Sequence, residues 1–482
     1  MPIINRISEF HKQMIEWRQD IHSHPELAYQ EKRTAKKVAK LLKEFGVDEI
    51  HEGIGGTGVV GVIRNGKGPM VGLRADMDAL PITEANKCDH ASTHEGVMHA
   101  CGHDGHTTML LGAARYLSET RNFNGQVILI FQPAEEGFAG AKAMIEDGLF
   151  EKFPVDSIYG MHNMPGVAEG NLDVGPGPRM AAADNFEIKI NGKGAHGAMP
   201  NESVDPIVCG SAVIQALQSL VSRNSDPKKT LVVSVTQFNS GHANNVIPDF
   251  ASLAGTIRYF DKTTGDFVRK KFPKIVKDIC EAFGAKAEID YKIGYPPTIN
   301  DNNAAKFALE TAKEIAGNKA SDSQEPMMGS EDFSYFLQKV PGAFAWIGNG
   351  KTASLHNPKY DFNNNILTIG NITLRVTRNP NTQRNSLQIV SQEAGKIDYP
   401  IFLDKIDTNV FVDSNPLETF SDEYFNSNIK SNQWNNLTIE FITGELSVNS
   451  EKVITGLRYS LNGFKRSKTI DLISTDANPD GE

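Results

Sequence analysis

Nowhere in the 482 residues is there an apolar run near the roughly 18 uninterrupted residues of a membrane-spanning helix. Cysteine is scarce. The four that occur, at positions 88, 101, 209 and 280, are too few and too scattered for a disulfide framework. The opening Met1-Pro2-Ile3-Ile4-Asn5-Arg6 leads into polar sequence without the apolar stretch of a secretion signal, so the cytoplasm is the expected compartment. Positive charge is also short: 49 Lys and Arg against 59 Asp and Glu leave a net charge of −10 and no basic excess for nucleic acid. Neither a nucleic acid nor a membrane is therefore expected as partner. What remains is an ordinary globular composition, in a chain long enough for two or three domains.

Strand and helix patterns alternate through the first part. Ile4, Ile7, Phe10, Met14 and Trp17 recur at helical spacing, and a second helix is expected over Thr34 to Phe45. Gly58 to Ile63, Met70 to Leu73 and Gln126 to Phe131 read as buried strands, with helices near Thr107 to Leu117 and Ala141 to Ile145. This order predicts an α/β domain around a largely parallel sheet. From Ala181 the texture changes. Phe186 to Ile190, Leu231 to Phe238 and Ala251 to Phe260 alternate apolar and polar, with helices near Pro206 to Val221 and Phe267 to Phe283. That is the pattern of a small inserted α+β (ferredoxin-like) domain, placed at 182–296. The α/β pattern resumes over 297–367. Residues 368–482 differ again: they are rich in Asn, Ser and Thr, hold no His or Cys, and carry alternating runs at Asn409–Val412 and Leu437–Phe441. They are expected to be an extension, β-rich or disordered. The Asn-x-Thr tripeptides at Asn371 and Asn436 are read as chance.

All 13 histidines precede residue 357. The densest cluster, Met98-His99-Ala100-Cys101-Gly102-His103-Asp104-Gly105-His106, places thiol and imidazole two positions apart beside glycines, a spacing that suits metal ligation. A glycine-rich turn with incidental polar groups would look similar. Phe131-Gln132-Pro133-Ala134-Glu135-Glu136-Gly137 follows a buried strand and leaves two carboxylates at its C-terminal end, where open α/β sheets place ligands. In extended backbone these neighbours would point opposite ways, one to a metal and one to substrate. A solvated acidic loop is the bland reading. His162 and His356 also follow apolar runs; singly, each reads more readily as a core or surface histidine. Met327 and Met328 fit either a pocket lining or the core.

Taken together these segments resemble the M20 family of metallopeptidases and amidohydrolases, most of all its hippurate hydrolase and indole-acetyl-amino-acid hydrolase branch. The resemblance is carried by Leu73 to Pro81 (Leu-Arg-Ala-Asp-Met-Asp-Ala-Leu-Pro), the His99 to His106 octet, Gln132 to Gly137, Met161-His162-Asn163, Gly194-Ala195-His196-Gly197, Gly329-Ser330-Glu331-Asp332-Phe333 and Leu355-His356-Asn357. These segments come in family order over residues 5–367, and the text after Leu367 no longer matches.

The resemblance implies a catalytic domain at 1–181 and 297–367, interrupted by a lid that also joins two subunits into a homodimer. It implies Cys101, His103, Glu136, His162 and His356 as ligands of two divalent metal ions (zinc, manganese, cobalt or nickel), and Glu135 as general base. Asp76 would orient the ligands from behind. His196 would reach the substrate carbonyl, possibly in the partner's site, while Asn244 and Arg258 would grip the substrate carboxylate. The implied reaction is amide hydrolysis of N-acyl amino acids. A dipeptidase or carboxypeptidase of the same family is the alternative, but those carry His-x-Asp where this chain has Arg74-Ala75-Asp76. A non-enzymatic protein binding through its extension is a third reading; it would be expected to have lost ligands, and none is missing.

Overall fold

The computed structural model describes residues 5–368 and, beyond them, the backbone of strands at 396–402, 409–412, 415–419, 434–448, 451–461 and 464–469. One eight-stranded sheet runs, in spatial order, Glu49–Ile54, Gly58–Asn65, Gly125–Gln132, Met70–Asp76, Ser157–Pro165, Gly342–Gly350, Leu172–Asp173, Ala320–Ser321. The sheet is mixed, which corrects the expectation of a largely parallel one. The four strands from Gly125–Gln132 to Gly342–Gly350 are mutually parallel. Glu49–Ile54 and Gly58–Asn65 join one edge as an antiparallel hairpin. The Glu49 strand carries no sequence signal because it is a half-exposed edge whose two apolar residues, Ile50 and Ile54, stand apart among polar ones.

The apolar runs are continuous because both faces of the central strands are covered. Val60, Val62, Ile128 and Ile130 share a core with Ala141, Met144, Leu149, Phe336 and Phe344. Helices Lys32–Glu44 and His103–Thr120 also pack onto these strands. Parallel strands bring their C-terminal ends to one edge, where Asp76 lies opposite Gln132 in the register.

Residues 182–295 build a second sheet, four antiparallel strands ordered Leu231–Ser240, Phe250–Tyr259, Ala182–Asn191, Lys286–Tyr295. Its buried residues, among them Phe186, Ile188, Ile190, Leu253 and Ile257, pack with Val213 and Leu217 of helix Pro206–Ser219 and Phe272 and Val276 of helix Lys262–Ala282. The second helix begins ahead of its apolar stripe because the Asp261 carboxylate caps it, accepting the Thr264 N–H. Both sheets lie within one compact unit, Glu9–Thr377.

The C-terminal strands form a second unit, in which Lys396–Phe402, Trp434–Val448, Glu451–Leu461 and Phe464–Thr469 pair antiparallel in that order. The runs at Asn409–Val412 and Leu437–Phe441 are strands, whereas Asn371 lies outside the described residues. No helix among the described residues is long and apolar enough to cross a membrane.

Candidate metal centre

Helix His103–Thr120 begins directly at the octet, so Cys101 and His103 flank its first turn. Gly102 makes this possible. It sits at φ +92°, and a Cβ there would lie 2.2 Å from the Asn163 amide nitrogen and 2.5 Å from the Tyr360 hydroxyl. The Cys101 thiol and the His103 ring are both buried. His162, from the parallel strand Ser157–Pro165, brings its Nε2 to 3.4 Å from Cys101 Sγ. Its Nδ1 bonds the Asn163 carbonyl at 2.7 Å, so Nδ1 carries the proton and the Nε2 lone pair faces the thiol. His103 Nδ1 lies 3.2 Å from Asp78 Oδ1, and its Nε2 is buried without a hydrogen-bond partner.

The two glutamates do not sit in extended backbone. Glu135–Phe138 is a tight reversal, with Glu136 at ψ 73° and Gly137 at φ +86°, entered through Ala134 at φ +55° and left through Ala139 at φ +56°. The side chains do not point opposite ways: an oxygen of each comes within 4.8 Å of the other, though their contacts differ. Glu135 Oε1 accepts the Asp332 N–H at 3.3 Å. Glu136 Oε1 lies 3.2 Å from His356 Nε2 and 4.0 Å from His103 Nε2, yet is buried and makes no aligned hydrogen bond. His356 itself stands at φ +60°, its N–H held by the Ala100 carbonyl at 2.8 Å, and its side chain is 53% exposed.

Thiol, imidazole and carboxylate atoms thus converge in overlapping groups: Cys101 with His103 and His162, Cys101 with Glu136 and His356, and His103 with Glu135 and Glu136, each within 4.8 Å of one another. Two of these atoms, His103 Nε2 and Glu136 Oε1, are buried without an aligned hydrogen bond; besides each other, only ion-pair contacts reach them, from Asp76 at 3.7 Å and His356 at 3.2 Å. Burying such groups unpaired is costly, and a cation between them satisfies both. The donor set fits a divalent metal.

The surrounding charge points the same way. Burial opposes a charge on His103, but Asp76, Asp78 and Glu136 outweigh it and lift the ring to about 10. Burial, then Glu136 and Glu135, push the Cys101 thiol well above its ordinary range. Burial and the neighbouring Glu331, Glu136 and Asp332 raise the Glu135 carboxyl likewise. Beneath lies Arg74, fully buried, with one guanidinium nitrogen 2.8 Å from Asp76 Oδ2 and another 2.9 Å from Glu331 and 3.2 Å from Asp332.

Asp76 lies beside the ligand candidates, its Oδ2 3.7 Å from His103 Nε2, while its Oδ1 accepts from His106 Nδ1 at 2.7 Å. His106 Nε2 is then occupied by the Asn163 N–H at 3.0 Å, which leaves that ring no free lone pair. The contacts that orient His103 and Glu136 come from Asp78, through Oδ1 to His103 Nδ1 and Oδ2 to the Glu136 N–H at 3.0 Å. Asp78 and His106 both stood inside the quoted motifs without a role. In Arg-Ala-Asp-Met-Asp the two acids look alike, and period-2 alternation gives only that they share a side.

The inserted-domain candidates lie away from this sheet edge in the chain. His196 is exposed on the two-residue strand Ala195–His196, its Nδ1 accepting the Ala198 N–H. Asn244 is exposed in a turn, and Arg258 is half-buried with Nε on Thr256 Oγ1. Met327 and Met328 are exposed rather than core. A further group, Cys88, His90 and Asp361, already holds a cation: Arg18 lies 2.9 Å from Asp361 and 3.0 Å from His90.

Residues 72–378 match Peptidase family M20/M25/M40, past the point at Leu367 where the resemblance was read to stop. The chain is 46% identical over 369 residues to a hippurate hydrolase of Campylobacter jejuni, covering 76% of this chain and 96% of that one. It is 40% identical over 362 residues to an N-acetylcysteine deacetylase of Bacillus subtilis, covering 75% and 94%. Among solved structures it resembles the YXEP protein of Bacillus subtilis, a dinuclear metal-binding peptidase of the M20 family, with a TM-score of 0.68, 36% identity, and coverage of 76% and 96%. Ligating geometry, fold and sequence agree, and the chain belongs to Peptidase family M20/M25/M40.

Proposed function

We propose that this enzyme hydrolyses the amide bond of N-acyl amino acids, such as hippurate or N-acetyl amino acids, to a carboxylic acid and a free amino acid. The observation that carries this reading is the meeting of Cys101, His103, Glu136 and His356 donor atoms with those of His162 beside the buried Glu135. Those five side chains would hold two divalent ions, with Cys101 common to both groups. A thiolate favours zinc or another softer ion, and manganese, cobalt or nickel suit the remaining donors. Such ions polarise a carbonyl and acidify water.

Glu135 takes the proton of the attacking water and returns it to the departing amine. The Asp332 N–H steers the carboxylate that does so. Asp78 keeps His103 in one tautomer, and Asp76 ties His106 and Arg74 beneath the site. The division into a catalytic domain (1–181 and 297–367), a lid (182–296) and an extension (368–482) is part of the same reading. So is a homodimer through the lid, in a cytoplasmic protein. In that assembly His196 approaches the substrate carbonyl and Asn244 and Arg258 its free carboxylate.

The test is to incubate the full chain with manganese or zinc and hippurate, N-acetyl amino acids or a dipeptide, then assay free amine. Release from the acylated substrates, abolished by a chelator, is expected. Release from the dipeptide alone would favour a peptidase, and no release would leave only a binding role.

A further inference from the structure

The two connections between the inserted domain and the main sheet run side by side, with Ala183 opposite Tyr295 in the register. Tyr295 ends the strand Lys286–Tyr295, yet its side chain serves the catalytic turn. Its hydroxyl donates to the Glu135 carbonyl and accepts the Ala139 N–H at 3.0 Å. These two groups bracket the Glu135–Phe138 turn. Ala134 and Ala139, at its entry and exit, have positive φ, which an alanine holds only when its surroundings impose it.

The other side of Tyr295 is anchored in the inserted domain. The Gly294 N–H donates to Asp184 Oδ1 at 3.2 Å. Buried Asp184 also receives the Tyr259 hydroxyl at 3.1 Å, the Tyr291 hydroxyl at 2.9 Å and Arg269 Nε at 3.1 Å. The phenol is therefore placed by the inserted domain and in turn fixes both ends of the turn that carries the base.

We infer that Tyr295 is a positioning residue through which the inserted domain aligns Glu135. It contributes no group to the reaction; the base is aligned only while its strand is seated. This deepens the proposed hydrolysis and rests on it.

Tyr295→Phe removes one hydroxyl and nothing else. Relative to wild type, kcat should fall about tenfold, with KM within about threefold and metal content unchanged. Amide hydrogen exchange over residues 134–141 should speed up. Tyr335→Phe is the comparison: its hydroxyl bonds the Gly294 carbonyl and its ring packs on Tyr295, so its loss loosens the same connection without freeing either end of the turn and should lower kcat by clearly less, no more than about threefold. Wild-type kcat and exchange in Tyr295→Phe would overturn the inference, as would an equal kcat loss in Tyr335→Phe. If the wild-type chain cleaves no N-acyl amino acid, the proposed reaction fails, and the exchange comparison still decides for or against the tether.

Discussion

The inserted domain and the strand-end site both bury charge, and they do so in opposite ways. Asp184 in the inserted domain is enclosed by two phenols, Arg269 and the Gly294 N–H, over a core that is otherwise apolar. Its partners are all protein. At the strand ends, His103 Nε2 and Glu136 Oε1 are as deeply buried and have no hydrogen-bond partner, while carboxylates crowd around a single arginine. An orphaned buried polar atom costs about 1–3 kcal/mol. A fold that tolerates several in one place keeps that place for something other than its own stability.

The comparison can be broken first at Glu135. Glu135→Gln should lower kcat about 10³-fold while bound metal, measured by elemental analysis, stays at the wild-type level. A variant with full turnover would put the base elsewhere. Next comes Arg74. Arg74→Met leaves Asp76, Glu331 and Asp332 buried without their countercharge and should cost about 3–5 kcal/mol in urea unfolding. A loss near zero would mean those carboxylates do not depend on Arg74. Asp184→Asn sharpens the contrast: its amide oxygen can keep the donors of one carboxylate oxygen while its NH2 meets those of the other, and partly exposed Arg269 can turn to water, so a smaller loss, about 1–3 kcal/mol, is expected.

The gentlest effect is a pH slope. Burial opposes a charge on His22, but Asp104 at 2.9 Å and Glu84 outweigh it and raise the ring to about 9. A raised imidazole gives its full stabilisation below its unfolded pKa of about 6.5 and loses it as pH climbs through about 9. The melting temperature should therefore decline between about pH 6.5 and 9, and His22→Gln should flatten that decline. An unchanged slope in the variant would show that other groups set it.

Much of the catalytic layer was legible because its signals are local. A buried apolar strand that ends in Pro133 announces a sheet edge, and Cys-Gly-His announces a tight ligating turn. The ligand set itself came from family resemblance, and its members do converge. What sequence could not supply is contact across distance. Tyr295 lies 160 residues from Glu135, and nothing in Gly-Tyr-Pro-Pro marks its hydroxyl as the clasp of that turn. The extended backbone expected for Glu135 and Glu136 gave way to a left-handed reversal at Ala134, which only the surrounding packing imposes. The polar strand Glu49–Ile54 and the early start of helix Lys262–Ala282 were missed for local reasons, an edge without apolar pattern and a cap overlooked.

Cys101, His103 and His162 are buried, and Glu136 nearly so, whereas half of the His356 side chain faces solvent. The most open donor of the group is therefore the imidazole of a residue held in an uncommon backbone conformation. An ion shared with His356 would be the first to leave and the last to arrive, so the two halves of one centre would keep different clocks.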